Sequence, residues 1–189
     1  MRRALEDLHV WAGEKGCISI RVALTLGAHY AHQLHAGAPP ELLGTLRGRL
    51  TDPATPAVLR LELAHLLNRY RELDLGDLRQ LLDPAMPAPV RLIAVEAMLA
   101  QGQSPEAVAA LHDLARLPNR EIALATAELV QRRLGVDLGL PPGQPLPPPH
   151  TRLAAEVARR LMLWANQHEV AEAHSPSGAL RRRQPYDDF

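Results

Sequence analysis

Apolar residues recur along this chain with the spacing of an α-helix. Two stretches show it most clearly, with apolar positions at Leu59, Leu63, Leu66, Leu67 and Tyr70, and then at Val90, Ala94, Ala97 and Met98. Each set traces one stripe on a helix of 3.6 residues per turn. No segment alternates between apolar and polar residues with a period of two, so the pattern predicts helices and no strands.

The apolar stripes and the residues that begin and end helices together define the predicted elements. Proline pairs at Pro53/Pro56 and Pro84/Pro87 separate consecutive stripes, because proline can end one helix and start another. Ser104 before Pro105 has the form of a helix N-cap. The predicted helices lie near residues 2–13, 17–36, 40–50, 56–71, 75–82, 88–101, 105–116, 120–134 and 151–171.

The middle of the chain is internally repeated. The pattern of residues 43–47 (LGTLR) returns at 75–79 (LGDLR), and that of 52–57 (DPATPA) returns at 83–88 (DPAMPA). A looser third copy covers residues 111–124. A repeat of about 32 residues that holds two amphipathic helices cannot bury its apolar faces alone, so successive hairpins are expected to stack.

Residues 40–135 resemble the HEAT-repeat family, in particular its short bacterial form related to phycobilin-lyase repeats. The resemblance rests on the Asp-Pro turns followed by Leu59-Arg60 and Val90-Arg91, although the third copy lacks the signature Asp and Arg in register. It implies an all-α fold, a right-handed α-solenoid of helical hairpins with a C-terminal capping helix. It also implies that Asp52, Arg60, Asp83 and Arg91 are structural, in a ladder between neighbouring repeats.

The amino-acid composition changes after Gly135, where a Pro-rich segment follows the repeats. Residues 141–149 (PPGQPLPPP) favour an extended polyproline path, and Thr151 then caps a last helix. The expected domains are a repeat domain at 1–135, a Pro-rich linker at 136–150, a capping helix at 151–172 and a disordered tail at 173–189. The linker is interpreted as a strap that returns the last helix to the stack, with a proline-rich ligand for another domain as the alternative.

Composition narrows the classes of function. The formal net charge is zero, with 21 basic and 21 acidic residues, so no nucleic-acid partner is expected. Aromatic residues make up only 3% of the chain, which argues against an aromatic-lined cofactor pocket, and no cofactor is predicted. Cys17 is the only cysteine, so no intrachain disulfide is expected. No apolar run reaches the ~20 residues of a membrane span, and the N-terminal residues do not have the pattern of a secretory signal. A soluble, cytoplasmic protein is the expectation.

The predicted second helices carry polar residues at nearly equivalent repeat positions. In solenoids these helices usually line the concave surface, so the residues would form a polar stripe there. The interpretation is a partner-binding surface, and the alternative is an ordinary solvated face. Aligned leucines, Leu61, Leu92 and Leu124, are expected to pack between repeats. The candidate partner-binding residues are His65, Asn68, Arg69, Glu96, Glu128, Gln131 and Arg132.

The sequence offers little else that could bind a metal ion or act as a catalytic nucleophile. His29, His32 and His35 share one predicted helix at a spacing that could bring two imidazoles to one ion, but no carboxylate or thiol joins them at ligand spacing. Cys17 lies in no recognisable nucleophile motif, and neither a Gly-x-Ser-x-Gly elbow nor a phosphate-binding glycine loop is present. The sequence therefore predicts no catalytic residue and no metal site.

These observations favour a non-catalytic protein–protein interaction scaffold or adaptor whose partner is another protein. The alternative is a HEAT-like protein that handles a ligand or nucleic acid, since relatives within the resemblance include bilin lyases and DNA-glycosylase-like enzymes. Homo-oligomerisation through the last helix is left open.

Overall fold

The computed structural model of the chain describes residues 40–102 and 104–173. These residues are helical or irregular, with no strand among them, so the predicted all-α class is confirmed over the described ranges. The predicted bounds of the helices in these ranges agree with the observed ones to within two residues. The described helices are α1 (Pro40–Thr51), α2 (Ala57–Arg69), α3 (Leu75–Leu81), α4 (Ala88–Gln101), α5 (Pro105–Ala115), α6 (Arg120–Leu134) and α7 (Arg152–Ala173).

Several predictions fall on residues outside these ranges. They are the two N-terminal helices, the histidine cluster at 29–35, Cys17 and the tail beyond residue 173.

The two Asp-Pro segments form the same kind of turn. The Asp52 carboxylate accepts a hydrogen bond from the Ala54 amide at 2.9 Å, and that of Asp83 accepts one from the Ala85 amide at 2.7 Å. Such Asx turns offer the backbone a local alternative to continuing a helix. Pro56 and Pro87 then stand at the N-caps of α2 and α4, where their fixed φ suits a helix start. In both repeats the same turn therefore leads from the first helix into the start of the second helix.

The other described helices begin with polar caps. Asp74 and Asp77 form a reciprocal capping box at the start of α3. Asn119 accepts from the amides of Glu121 and Ile122 at the start of α6. Hydroxyl oxygens of Ser104 and Thr151 accept from backbone amides in the first turns of α5 and α7, as the sequence predicts.

Two compact units divide the chain, residues 1–107 and 108–189. In the described part of the first unit, α1 contacts both α2 and α3, while α4 contacts both α2 and α3. Aliphatic residues from all four helices form its core. The buried set includes Leu46, Leu50, Leu63, Ala64, Leu67, Leu78, Leu81, Val90, Ala94 and Val95. Each large aliphatic side chain buried there contributes about 1.5–3 kcal/mol of transfer free energy.

The second unit is organised around α6 and α7, which pack against each other. Val157, Leu161 and Ala165 are fully buried on one face of α7, and Trp164 is buried beside them. The Trp164 ring meets the buried His112 ring of α5 edge-on, with 4.6 Å between ring centroids. Such edge-to-face pairs are a favoured aromatic geometry. Residues of α7 therefore form part of the core of the second unit.

Candidate functional site

The predicted partner-binding residues of the first unit lie on the outward side of α2 and α4. On α2, Leu63, Leu66 and Leu67 face the core, whereas His65 and Arg69 are exposed and Asn68 is half-buried. Glu96 is half-buried on α4, which packs against α2. The structure therefore places these four residues on two neighbouring helices.

Apolar side chains share this outward side. Leu61 on α2 and Leu92 on α4 are both only half-buried, and Val58 at the start of α2 is exposed. By contrast Leu124, their aligned counterpart on α6, is buried. The expected packing role of these leucines thus differs between repeats, and in the first unit they leave apolar surface next to His65 and Glu96.

The remaining candidate residues lie on α6 in the second unit. Arg132 forms an exposed ion pair with Glu128, with 4.0 Å between Nη1 and Oε1. Because each partner is half-exposed and one helical turn from the other, this pair contributes about 0.3–0.5 kcal/mol to stability.

Gln131 has a structural role that its position in the repeat does not reveal. Its Nε2 donates to the Leu140 carbonyl at 2.7 Å, and its Oε1 accepts from the amides of Leu138 and Leu140 at 3.2 Å each. Leu138 and Leu140 are themselves buried. The three hydrogen bonds of this one carboxamide therefore anchor the start of the Pro-rich segment to α6.

The Pro-rich segment is non-helical across residues 135–151, and it borders a groove with α6. The groove has a volume of about 310 Å³. Its α6 side is formed by Glu128, Gln131 and Arg132, and its other side by residues 140–146. Three of the seven predicted residues thus meet at one concave feature that is walled largely by proline and leucine.

The signature Asp and Arg residues contact backbone groups of the turns. Besides the Asx turns of Asp52 and Asp83, Arg60 Nε donates to the Thr55 carbonyl at 3.0 Å, and Arg91 Nε donates to the Leu82 carbonyl at 3.2 Å. Arg60 also reaches Met86 in the next turn, with 3.5 Å between Nη1 and Sδ. These four residues hold turns and helix ends in place.

Two other ion pairs join the first helices of successive repeats, and the sequence pattern did not predict them. Arg47 on α1 lies 3.2 Å from Asp77 in the first turn of α3, and Arg79 on α3 lies 3.0 Å from Glu106 in the first turn of α5. Arg47 and Arg79 occupy the same place in the repeated motif, so their alignment was the available signal. The sequence does not give the distance between neighbouring first helices, so it does not show which acidic residue each arginine reaches.

Neither a metal-ligand cluster nor a membrane-spanning helix occurs in the described ranges. No group of three or more metal-ligating side chains occurs there. Within the same ranges, no helix is both long and apolar enough to span a bilayer.

Comparison of the chain with protein-family models, with curated proteins and with solved structures finds no match in any of the three.

Proposed function

We propose that this protein is a non-catalytic scaffold that binds another protein through the outward faces of its second helices. The observation that carries the proposal is the composition of the α2 and α4 faces. There the half-buried Leu61 and Leu92 lie among polar residues that include His65 and Glu96. Interfaces combine an apolar centre with a polar rim in this way.

The proposal includes the architecture, a right-handed stack of HEAT-like hairpins. It is supported by the pattern of contacts in the first unit, where first helix contacts first helix, second helix contacts second helix, and each hairpin closes on itself. A two-layered stack of hairpins requires this set of contacts. Within this unit the second helices α2 and α4 therefore lie side by side.

The repeated ion pairs support the same architecture. Arg47 and Arg79 each reach an acidic residue in the first turn of the following first helix. An acidic residue in that turn also complements the positive end of the helix dipole. At the next aligned position stands Ala115, so the series of aligned arginines ends there.

Charge and burial on the outward faces favour a protein as the partner. Val58 and His65 on α2 are exposed, and the charged candidates carry both signs, with Glu96 and Glu128 balanced by Arg69 and Arg132. Helix faces that are partly apolar and carry charges of both signs suit a polypeptide surface better than a polyanion.

The test compares partner capture by three forms of the full chain. The site variant combines H65A, E96A and E128A, and the matched control combines E41A, Q80A and D113A, exposed positions on first helices. We expect the site variant to lose at least about tenfold in affinity for the partner that wild type captures, with the control unchanged. Both variants should keep the thermal midpoint of wild type within a few degrees.

Equal binding by the site variant and the control would contradict the proposed surface. A band shift with duplex DNA at low salt, without a protein partner, would favour the nucleic-acid alternative instead.

A further inference from the structure

One side of α7 carries four residues at spacings of three, four and three, of which one glutamate is half-buried and the other three residues are exposed. They are Leu153, Glu156, Arg160 and Leu163. The two leucines are 42% and 48% exposed, values that are high for large apolar side chains in this protein. The core face of α7 at Ala154, Val157 and Leu161 is separate from them. Alternating three- and four-residue spacing keeps side chains on one seam between two paired helices.

The order of these residues is symmetric. Read from either end, the seam runs leucine, charge, charge, leucine, and the two charges are opposite in sign. About a two-fold axis at the level of Ala158, an antiparallel copy of α7 would place Leu153 against Leu163 of the second copy. The same axis would place Glu156 against Arg160 of the second copy. A parallel pairing would instead oppose Glu156 to its own counterpart.

We propose that α7 pairs antiparallel with α7 of a second copy of this chain, forming an isologous dimer through the seam Leu153, Glu156, Arg160 and Leu163. A two-fold interface requires a surface that complements itself, and this seam does so in both apolarity and charge. Within one chain, Arg160 Nε lies 3.0 Å from Glu156 Oε1. In the dimer the two pairs would form a cluster of four alternating charges, flanked on each side by a pair of leucines.

A second copy is favoured over an unrelated partner because the match is internal to one helix. Any seam with spacings of three, four and three is symmetric about its midpoint, so the match lies in the residue types: leucine would meet leucine, and glutamate would meet arginine. The proposal is independent of the proposed partner-binding function, because it uses α7 alone and none of the α2, α4 or α6 positions.

The first test is the mass of the full chain across a concentration series by sedimentation equilibrium. The chain mass is 20.7 kDa, and we expect the weight-average mass to approach twice that value. L163E should weaken dimerisation by about tenfold or more, because it puts a carboxylate where leucine would meet leucine. The matched control is M162E, which changes an exposed apolar residue outside the seam.

The second test exchanges charges and does not depend on the leucines. E156R and R160E should each associate weakly, because like charges would then face each other. An equimolar mixture should form a heterodimer, because each variant supplies the charges that the other opposes. The control R159E disrupts the other ion pair of Glu156 but lies off the seam, so it should dimerise like wild type.

Helicity and thermal midpoint identify a variant that fails to fold, and the mixing experiment still decides if L163E is such a variant. A monomer throughout the concentration series overturns the proposal. So does a dimer that L163E leaves unchanged, or a failure of the charge variants to pair on mixing.

Discussion

Arg91 serves the core of the first unit in spite of its charge. It is only 4% exposed, and its Nε donates to the carbonyl of Leu82, the C-cap residue of α3. The last carbonyls of a helix lack partners within the helix. The guanidinium of α4 therefore completes the end of α3 and joins the two helices of one hairpin.

We expect R91A to lower the free energy of unfolding by about 2–3 kcal/mol, because it removes a charged hydrogen bond and the packing of the long side chain. Urea titration followed by circular dichroism measures this. R69A, at an exposed position on α2, is the control and should change stability by less than about 0.5 kcal/mol. Equal unfolding midpoints for the two variants would contradict the assigned role of Arg91.

Glu156 on α7 is held ionised by two neighbouring arginines. Hydrogen bonds from Arg159, and then from Arg160, lower the pKa of Glu156 from 4.5 to about 2. The stability that this provides is present above pH 4.5 and is lost as the pH falls from 4.5 towards 2. Because the carboxylate is exposed, salt is expected to weaken the effect.

An NMR titration of the Glu156 side chain should therefore place its midpoint well below 4.5. In R159Q the midpoint should rise, because the hydrogen bonds that the Arg159 guanidinium donates to this carboxylate are lost. A wild-type midpoint near 4.5 at low salt would show that the arginines do not hold the carboxylate in solution.

At the scale of elements, the Pro-rich segment is a strap with a defined anchor. Gln131 satisfies both amides and a carbonyl of residues 138–140, and Arg120 Nη1 donates to the Pro149 carbonyl at 3.2 Å near the other end. Proline has no N–H to donate, so the two amides that donate to Gln131 belong to the non-proline residues Leu138 and Leu140. The strap thereby connects α6 to α7 inside one unit.

Q131A should leave these backbone groups without partners and destabilise the second unit by about 1–3 kcal/mol. Hydrogen exchange at the Leu138 and Leu140 amides should accelerate first. Q144A changes an exposed residue of the same segment and serves as the control. Unchanged exchange at both amides in Q131A would show that the anchor is dispensable.

The helices and their ends could be read from the sequence because their signals are local. Pro56, Asn119 and Thr151 each act within one turn of the helix they begin. The Gln131 anchor and the Arg47–Asp77 pair could not be read in this way, because each depends on segments brought together by folding. Leu61 and Leu124 make the same point, since aligned positions differ in burial.

At the scale of the whole molecule, the protein has two proposed binding surfaces that share no residue. The second-helix faces are proposed for a protein partner, and the α7 seam is proposed for a second copy. Loss of dimerisation should therefore leave the intrinsic affinity for the partner unchanged, although it would remove any gain from binding two sites at once.

Site-specific photo-crosslinking in cells shows which helix faces touch the partner. A photoreactive amino acid is placed singly at positions 65, 96 and 128 on the second helices, and at 41, 80 and 113 on the first helices. We expect the first three positions to crosslink to one common protein and the other three positions not to crosslink to it. Crosslinks to that protein from the first-helix positions alone, or equally from all six, would contradict the claim that the second-helix faces bind the partner.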